Sequence, residues 1–267
     1  MEFSSKRASL AISMASFFGI NFGGSAEGET PLAVTHENVV YTILVKRSPS
    51  ARRITLRVRL AARDVIVTIP KRASIKTAQE FAQRHAPWIA TRLGRLPRAV
   101  PFRTGEIIPI RGENHRIVHK QQIRGWVRVE QATEEGLPWL HVACDEQHIR
   151  RRISDFLKEN ARSDLESAVR KYTQQLGYAS RKVTVKDTSS RWGSCSASGA
   201  LSFSWRLILA PSEVLDYLAA HEVAHLVHMN HSTDFWDLTR KLAPHTDNAE
   251  AWLIKNGASL YRFGAEA

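Results

Sequence analysis

The chain has 267 residues, of which 43% are hydrophobic, and it carries a formal net charge of +12 with a pI near 10.1. This hydrophobic content is enough for a sizeable core and excludes a chain that is disordered throughout. No stretch contains the roughly 18 consecutive apolar residues of a membrane span, and two cysteines, Cys144 and Cys195, are too few for a disulfide framework. We therefore expect a cytoplasmic protein with no membrane partner.

The positive charge is concentrated in the N-terminal half. Residues 46–128 contain 20 Lys and Arg against 4 Asp and Glu, a net charge of +16, whereas the rest contains 18 against 22, a net charge of −4. Such a surface attracts an anionic partner, for example a nucleotide or a nucleic acid. A solvated outer face of a sheet explains the arginines equally well. No aromatic recognition motif or glycine-rich phosphate loop identifies the anion.

The first 34 residues differ from the rest of the chain. Ser4 to Arg7 precede a mildly apolar run, 8–22, and a glycine-rich stretch follows. A signal peptide has a charged start, an apolar centre and small residues before its cleavage site. Glu2 and several serines weaken that pattern. We therefore expect residues 1–34 to form a disordered leader rather than a signal peptide.

The next segment, residues 35–144, has the pattern of a basic, β-rich lobe. Four apolar residues from Ile54 to Leu60 alternate with arginines and a threonine, and Val65 to Ile69 continue the alternation, which predicts a hairpin. Residues 74–96 have helical periodicity, and Pro87 is expected to kink or divide that helix. Short strands separated by glycines follow.

The C-terminal half begins with a predicted helix, residues 145–176, which Gly177 ends. Residues 182–209 read as strands with a loop at 187–199. A peptide in extended conformation can pair with the edge of a sheet, and the strand from Leu201 to Trp205 is our candidate for that edge.

A five-residue motif, His221-Glu222-Val223-Ala224-His225, follows these strands. On a helix, residues four apart lie on one face, so the two imidazoles can share a metal ion, while Glu222 is rotated about 100° away and stands beside it. A carboxylate there can take a proton from water that zinc acidifies. Pro211 suits the first turn of the helix. A packing stripe is predicted at Val214, Leu215, Leu218, Leu226 and Met229.

A catalytic zinc site needs a third protein ligand. His231 can reach the ion only if the helix stops before it, and Asn230 is a plausible stop because Asn tolerates the left-handed conformation. His228 lies about 10.5 Å along the helix axis from His221, a poor position for the same ion. We rank the candidates for the third ligand as His231 first, then an acidic residue, Glu250 or Asp234, and then His228.

Several other residues have structural explanations that we favour. We expect Arg191 to Cys195 to form a tight loop packed under Trp192. Cys195 as a thiol nucleophile is the weaker alternative. Phe235 and Trp236 are expected to anchor the returning chain in the core, and His245 is expected to be a surface or hydrogen-bonded histidine.

Six motifs together resemble one known family. They are Arg191 to Ser196, Trp205 to Pro211, Asp216-Tyr217, His221 to Leu226, Met229 to Ser232, and Phe235-Trp236. The chain is similar here to the YgjP-like metallopeptidases, relatives of the WLM and SprT-like zincins, over residues 40 to about 255. The resemblance implies a zincin-like catalytic domain, with zinc on His221, His225 and His231 and with Glu222 as the catalytic base.

The sequence therefore predicts an α+β protein in which a zincin-like domain, residues 145–267, carries the HExxH helix. The expected function is a zinc metallopeptidase with one Zn²⁺ per chain, acting on a peptide or protein. One alternative is a metal-dependent hydrolase of a phosphoanhydride such as a nucleoside triphosphate. Another is a nucleic-acid-associated, SprT-like protease or a binding module.

Overall fold

The computed structural model describes residues 30–60, 62–121, 125–131, 136–179, 181–188 and 191–265. Contacts among them form two compact units, residues 30–98 and residues 99–265. The expected domain limits, 35–144 and 145–267, are a statement about which parts of the chain can fold alone. Contacts within one chain do not test independent folding, so those limits stay a prediction. Residues 1–29, with most of the expected leader, lie outside the described residues.

The first unit contains a four-stranded sheet. Its strands are β1 (Thr30–His36), β2 (Val39–Ser48), β3 (Thr55–Arg59) and β4 (Asp64–Pro70), in the order β1-β2-β4-β3. The β2–β4 pair is parallel and the other two pairs are antiparallel. The predicted hairpin is confirmed as β3–β4. Because β1 begins at Thr30, the last five residues of the expected leader, 30–34, form a strand.

Two short helices, α1 (Ile75–Arg84) and α2 (Ala86–Gly94), complete this unit. The Ser74 hydroxyl accepts a hydrogen bond from the backbone N–H of Thr77 at 3.0 Å and caps α1. The helix divides at His85, as the presence of Pro87 predicted. The core lies between sheet and helices and consists of Val34, Ile43, Val45, Val65, Val67, Ile69, Ala78, Ala82, Ala86 and Ile89.

The second unit contains two sheets. The first has strands β5 (Ile107–Ile110), β6 (Glu113–Lys120), β7 (Trp126–Glu130) and β8 (Trp139–Ala143), in the order β5-β6-β8-β7. The second has strands β9 (Val183–Lys186), β10 (Gly193–Cys195) and β11 (Leu201–Ser204), in the order β10-β11-β9. The β-rich N-terminal region and the mixed α+β class are thus as predicted.

The helices of the second unit are α3 (Ile149–Gln175), α4 (Ser212–Ala224), α5 (Thr233–Leu242) and α6 (Thr246–Leu260), with 3₁₀ turns at Glu146–His148 and Trp205–Leu209. Helix α3 buries Ile153, Leu157, Ala161 and Leu165, which recur every four residues and so lie on one side of the helix. Gly177 follows its last turn with a φ of +70°, the left-handed conformation predicted there.

The expected edge strand, Leu201 to Trp205, is not at an edge. Strand β11 lies in the middle of its sheet, antiparallel to β10 and parallel to β9. The chain also leaves the sheet at Trp205, where a 3₁₀ turn replaces the predicted strand. The prediction was wrong because alternation along one strand does not reveal its neighbours. Strand β10 is the edge nearest the HExxH motif.

Among the described residues, none of the helices has both the length and the apolar character needed to cross a membrane.

Candidate metal centre

Helix α4 carries the first four residues of the HExxH motif, His221 to Ala224, in the protein interior. Pro211 precedes its first residue, and ten of the eleven residues from Val214 to Ala224 are buried. His221 and Glu222 are each only 1% exposed. The predicted packing stripe is right for Val214, Leu215 and Leu218. It is wrong for Met229, which is 58% exposed because the helix has ended before it.

The helix ends one turn after His221. Ala224 is its last residue, and His225 keeps helical dihedrals, φ −64° and ψ −16°, so its ring stays on the face of His221. The two ring centroids are 5.1 Å apart. Asn230 is not the stop that we predicted, since it has no positive φ. The helix stops earlier because the N–H of Leu226 bonds to the carbonyl of Val223 at 2.9 Å, which tightens the last turn.

His231 is placed by the start of the next helix. The Ser232 hydroxyl accepts the N–H of Phe235 at 3.4 Å and caps helix α5 immediately after His231. This turn brings Nε2 of His231 to 3.2 Å from Nε2 of His221. One ligand atom from each of His221, His225 and His231 lies within 4.8 Å of the other two. The predicted triad therefore converges.

The other proposed third ligands do not join this group. Among the described residues, the potential metal ligands that cluster are the three histidines, without Glu250, Asp234 or the ring of His228. His228 has a different part: its backbone carbonyl accepts a hydrogen bond from Nδ1 of His225 at 3.0 Å. A carbonyl only accepts, so Nδ1 carries the proton and Nε2 keeps its lone pair. That tautomer is the one a metal requires.

The ring of Phe235 packs against all three imidazoles. Its ring is fully buried, and its centroid lies 4.9 Å from His221, 4.5 Å from His225 and 4.7 Å from His231. The expectation that Phe235 is a core anchor is confirmed. The sequence did not indicate that this anchor touches every histidine of the cluster, because the contact depends on the turn between α4 and α5.

Burial keeps the imidazoles neutral. It lowers the pKa of His221 well below the ordinary value, and the neighbouring charges of His225 and His231 lower it further. Burial also lowers the pKa of His225 and of His231. Neutral imidazole is the form that binds a metal ion. Two nitrogens on a tetrahedral zinc at bond lengths of about 2.0–2.1 Å lie about 3.3 Å apart. The 3.2 Å separation of His221 and His231 fits that distance, and the ligand atom of His225 lies within 4.8 Å of both.

Glu222 lies against strand β10. A Cβ atom built on Gly193 would come within 2.4 Å of Oε1 of Glu222, so only glycine leaves room for this carboxyl group. Burial raises the pKa of Glu222 to about 8, and the positive charge of Arg191 opposes that rise. A divalent cation at the histidines would act in the same direction as Arg191. The sequence missed both neighbours, although both belong to the Arg191–Ser196 motif.

The stretch from Arg191 to Cys195 differs partly from the expected loop. Residues 193–195 form strand β10, while Trp192 is buried as expected, with its ring centroid 5.2 Å from that of Tyr261. Burial and the charge of Glu222 raise the pKa of the Cys195 thiol to about 11, which disfavours the thiolate that a nucleophile needs.

His245 lies beside an acidic group. Its Nε2 lies 3.3 Å from Oδ2 of Asp216, near the opposite end of helix α4 from His225.

The geometry defines a class of site: three imidazoles close enough together to hold one metal ion, beside a buried glutamate, as in HExxH hydrolases. The chain belongs to the YgjP-like family. The family model described as YgjP-like, metallopeptidase domain, matches residues 52–256, and this range contains the three histidines and Glu222. The resemblance found in the sequence is thereby confirmed. None of the curated proteins and none of the solved structures matches the chain.

Proposed function

We propose that the protein is a zinc-dependent peptidase in which His221, His225 and His231 hold one Zn²⁺. The convergence of three neutral imidazoles beside a buried glutamate carries this proposal. When bound there, zinc supplies Lewis-acid polarisation of a peptide carbonyl and lowers the pKa of water. Membership of a metallopeptidase family supports peptide bonds as the substrate.

Glu222 is the proposed general base. Its carboxylate takes a proton from the attacking water and returns it to the leaving amine. The contact with Gly193 limits where this carboxyl group can lie, and burial keeps bulk water away from it. The hydrogen bond from His225 to the carbonyl of His228 orients the second ligand. Phe235 packs against all three rings and limits their rotation.

Strand β10 is the proposed place where the substrate pairs. It is an edge strand of its sheet, and the backbone groups of an edge strand can pair with an extended peptide. The same strand contributes Gly193, which touches Glu222. A peptide added at this edge would therefore run close to the proposed base.

The test combines metal content with peptide cleavage. We expect the wild-type protein to contain one zinc per chain by elemental analysis and to cleave members of a quenched-fluorescence peptide library. Glu222→Gln should keep the zinc and lose about 10²- to 10⁴-fold in turnover, because it cannot take the proton. Glu213→Gln, at an exposed position in the first turn of the same helix, is the matched control. Full turnover in the Glu222→Gln variant would remove Glu222 from the mechanism.

A second candidate function is the hydrolysis of a phosphoanhydride such as a nucleoside triphosphate. The positive charge of Arg191 acts on Glu222, and an arginine at a reacting centre can bind a phosphate group. Phosphate release from a panel of nucleotides, reduced in an Arg191→Gln variant, would favour this function. Peptide cleavage without any phosphate release would exclude it.

The proposed location is the cytoplasm. Cys144 and Cys195 are both free thiols, as in a reducing compartment.

A further inference from the structure

The sheet formed by β5 to β8 has one buried face and one partly exposed face. Alternate residues of a strand point to opposite faces, and Ile117, Leu140 and Val142 fill the buried one. The opposite face carries nine residues of β6, β8 and β7 in three registered rows. The rows are Arg116–Trp139–Glu130, Val118–His141–Arg128 and Lys120–Ala143–Trp126. We call these nine residues the aromatic face.

Each row of the aromatic face contains one ring and one basic side chain. Arg116 accompanies Trp139, Arg128 accompanies His141, and Lys120 accompanies Trp126. Successive rows are two residues apart along a strand, which corresponds to about 6.6 Å. Trp139 is 38% exposed, and the side chain of Arg128 is 56% exposed. The basic side chains of all three rows are exposed, and the accessible rings are those of the first and third rows, Trp139 and Trp126.

The rings are held in place by their neighbours. His141 is only 5% exposed, and its ring centroid lies 5.6 Å from that of Trp139 and 6.4 Å from that of Trp126. The guanidinium of Arg128 lies 4.3 Å from the Trp126 centroid, a cation–π contact. Rings fixed in this way lose little conformational entropy when a ligand stacks on them.

The charge of the aromatic face is positive. Three of its nine residues are Lys or Arg, and one, Glu130, is acidic. Glu130 forms an ion pair with Arg128, and Nε2 of His141 lies 2.8 Å from its carboxylate. Its charge is therefore neutralised within the face, and the basic groups of the first and third rows, Arg116 and Lys120, favour an anionic ligand.

We propose that the aromatic face binds single-stranded nucleic acid. Bases stack on Trp139 and Trp126, and backbone phosphates contact Arg116, Lys120 and Arg128. Trp139 and Trp126 lie in the first and third rows, about 13 Å apart along the strands, so they suit an extended strand whose bases are separated rather than stacked at about 3.4 Å. A duplex hides its base faces, and an acidic peptide brings charge without rings. This binding does not depend on the metal centre or on the proposed peptidase activity.

The first experiment measures binding of the full chain to a fluorescent 12-nucleotide oligothymidylate by anisotropy. We expect the affinity to fall linearly with the logarithm of the salt concentration. Trp139→Ala should weaken binding about 10-fold or more, because one stacked base is lost. Trp139→Phe should restore most of the affinity, because it keeps a flat ring. Glu222→Gln should bind as wild type, which separates this result from the outcome of the peptidase test.

Matched controls distinguish the aromatic face from the general basicity of the chain. Trp88 is 40% exposed and has Arg92 over its ring at 5.6 Å, but it belongs to helix α2. Trp88→Ala should therefore leave the affinity unchanged. Arg116→Gln should reduce the salt slope by about one phosphate contact, whereas Lys158→Gln, exposed on α3, should not.

Two results would overturn the proposal. One is binding to a 12-base-pair duplex that is as tight as binding to the single strand. The other is wild-type affinity for the oligothymidylate in the Trp139→Ala variant, with its fold verified by circular dichroism. Either result would reduce the aromatic face to part of a generally cationic surface.

Discussion

The two ends of helix α4 bring polar side chains together in opposite ways. Near its start, Asp216 meets groups of complementary chemistry. The buried Tyr172 donates a hydrogen bond to its carboxylate, Nζ of Lys171 lies 3.4 Å away, and Nε2 of His245 lies 3.3 Å away. Lys171 supplies the charge opposite to that of Asp216, so the chain itself provides the partners of this carboxylate.

At the other end of α4, like groups meet. His221, His225 and His231 bring three bases together, and Glu222 lies beside them with its pKa raised to about 8 by burial. Protonating all three imidazoles would place like charges side by side. The difference teaches that the groups around Asp216 are complementary to one another, whereas the three histidines form a cluster that could hold a cation.

Replacing the third histidine, His231, should have the largest effect on the end of α4 that carries the histidines. His231→Ala removes one of three ligands, and we expect zinc content and peptide cleavage to fall more than ~100-fold, since even partners that only orient a ligand are worth 10- to 100-fold. Elemental analysis and turnover measure both. His228→Ala is the control, because it removes a ring outside the cluster and keeps the carbonyl that accepts from His225. If His231→Ala still bound one zinc per chain, the third zinc ligand would have to be another residue.

Gly193→Ala should displace Glu222 while the metal stays bound. The new Cβ would lie 2.4 Å from Oε1 of Glu222, so the carboxyl group must move, and a shift of about 1 Å can reduce turnover about 10²-fold. Turnover and zinc content are measured together. Gly94→Ala is the control, because a Cβ there would have no heavy atom within 4 Å. Unchanged turnover in Gly193→Ala would show that this contact does not position the base.

The pH dependence of stability should show the raised pKa of Glu222. In metal-free protein the folded carboxyl titrates near 8 and the unfolded one near its ordinary 4.5, so only the folded state takes up the proton between them. Lowering the pH from 8 towards 6.5 should therefore increase the free energy of unfolding by about 1.4 kcal/mol per pH unit. Below about 6.5 the histidines act in the opposite direction, since their lowered pKa values let the unfolded state bind more protons.

Urea unfolding in chelator measures this pH dependence. The increase between pH 8 and 6.5 should disappear in Glu222→Gln. If the free energy of unfolding of Glu222→Gln increased by the same amount, another titrating group would be responsible.

Tyr172→Phe should give the smallest effect. It tests whether the Asp216 end of α4 contributes to stability without affecting the metal site. It removes one hydrogen bond to Asp216, and we expect a loss of about 1–2 kcal/mol in the free energy of unfolding with zinc content unchanged. Tyr178→Phe, at a position 38% exposed, is the control. Loss of zinc in Tyr172→Phe would mean that the two ends of α4 are coupled.

The sequence predicted most accurately what lies within a single helix. The spacing of His221 and His225 predicted their common face, because helix geometry alone determines it. The position of His231 followed from the need for a third ligand and from the family resemblance. The predicted mechanism of the turn at Asn230 was wrong, because the tightening at Leu226 ends the helix earlier.

Contacts between distant parts of the chain were not predictable from these patterns. Gly193 touches Glu222 across 29 positions of sequence, through the packing of β10 on α4. The central place of β11 depends on which strands pair with it, and alternation along one strand carries no such information. The aromatic face was missed for the same reason, since its rows combine residues of three strands.

X-ray absorption at the zinc K edge of the purified wild-type protein tests the central claim most directly. The account predicts one zinc per chain, with three imidazole nitrogens at about 2.0–2.1 Å and no sulfur ligand. A spectrum with a sulfur ligand at about 2.3 Å, or a protein that binds no zinc when the metal is supplied, would contradict it.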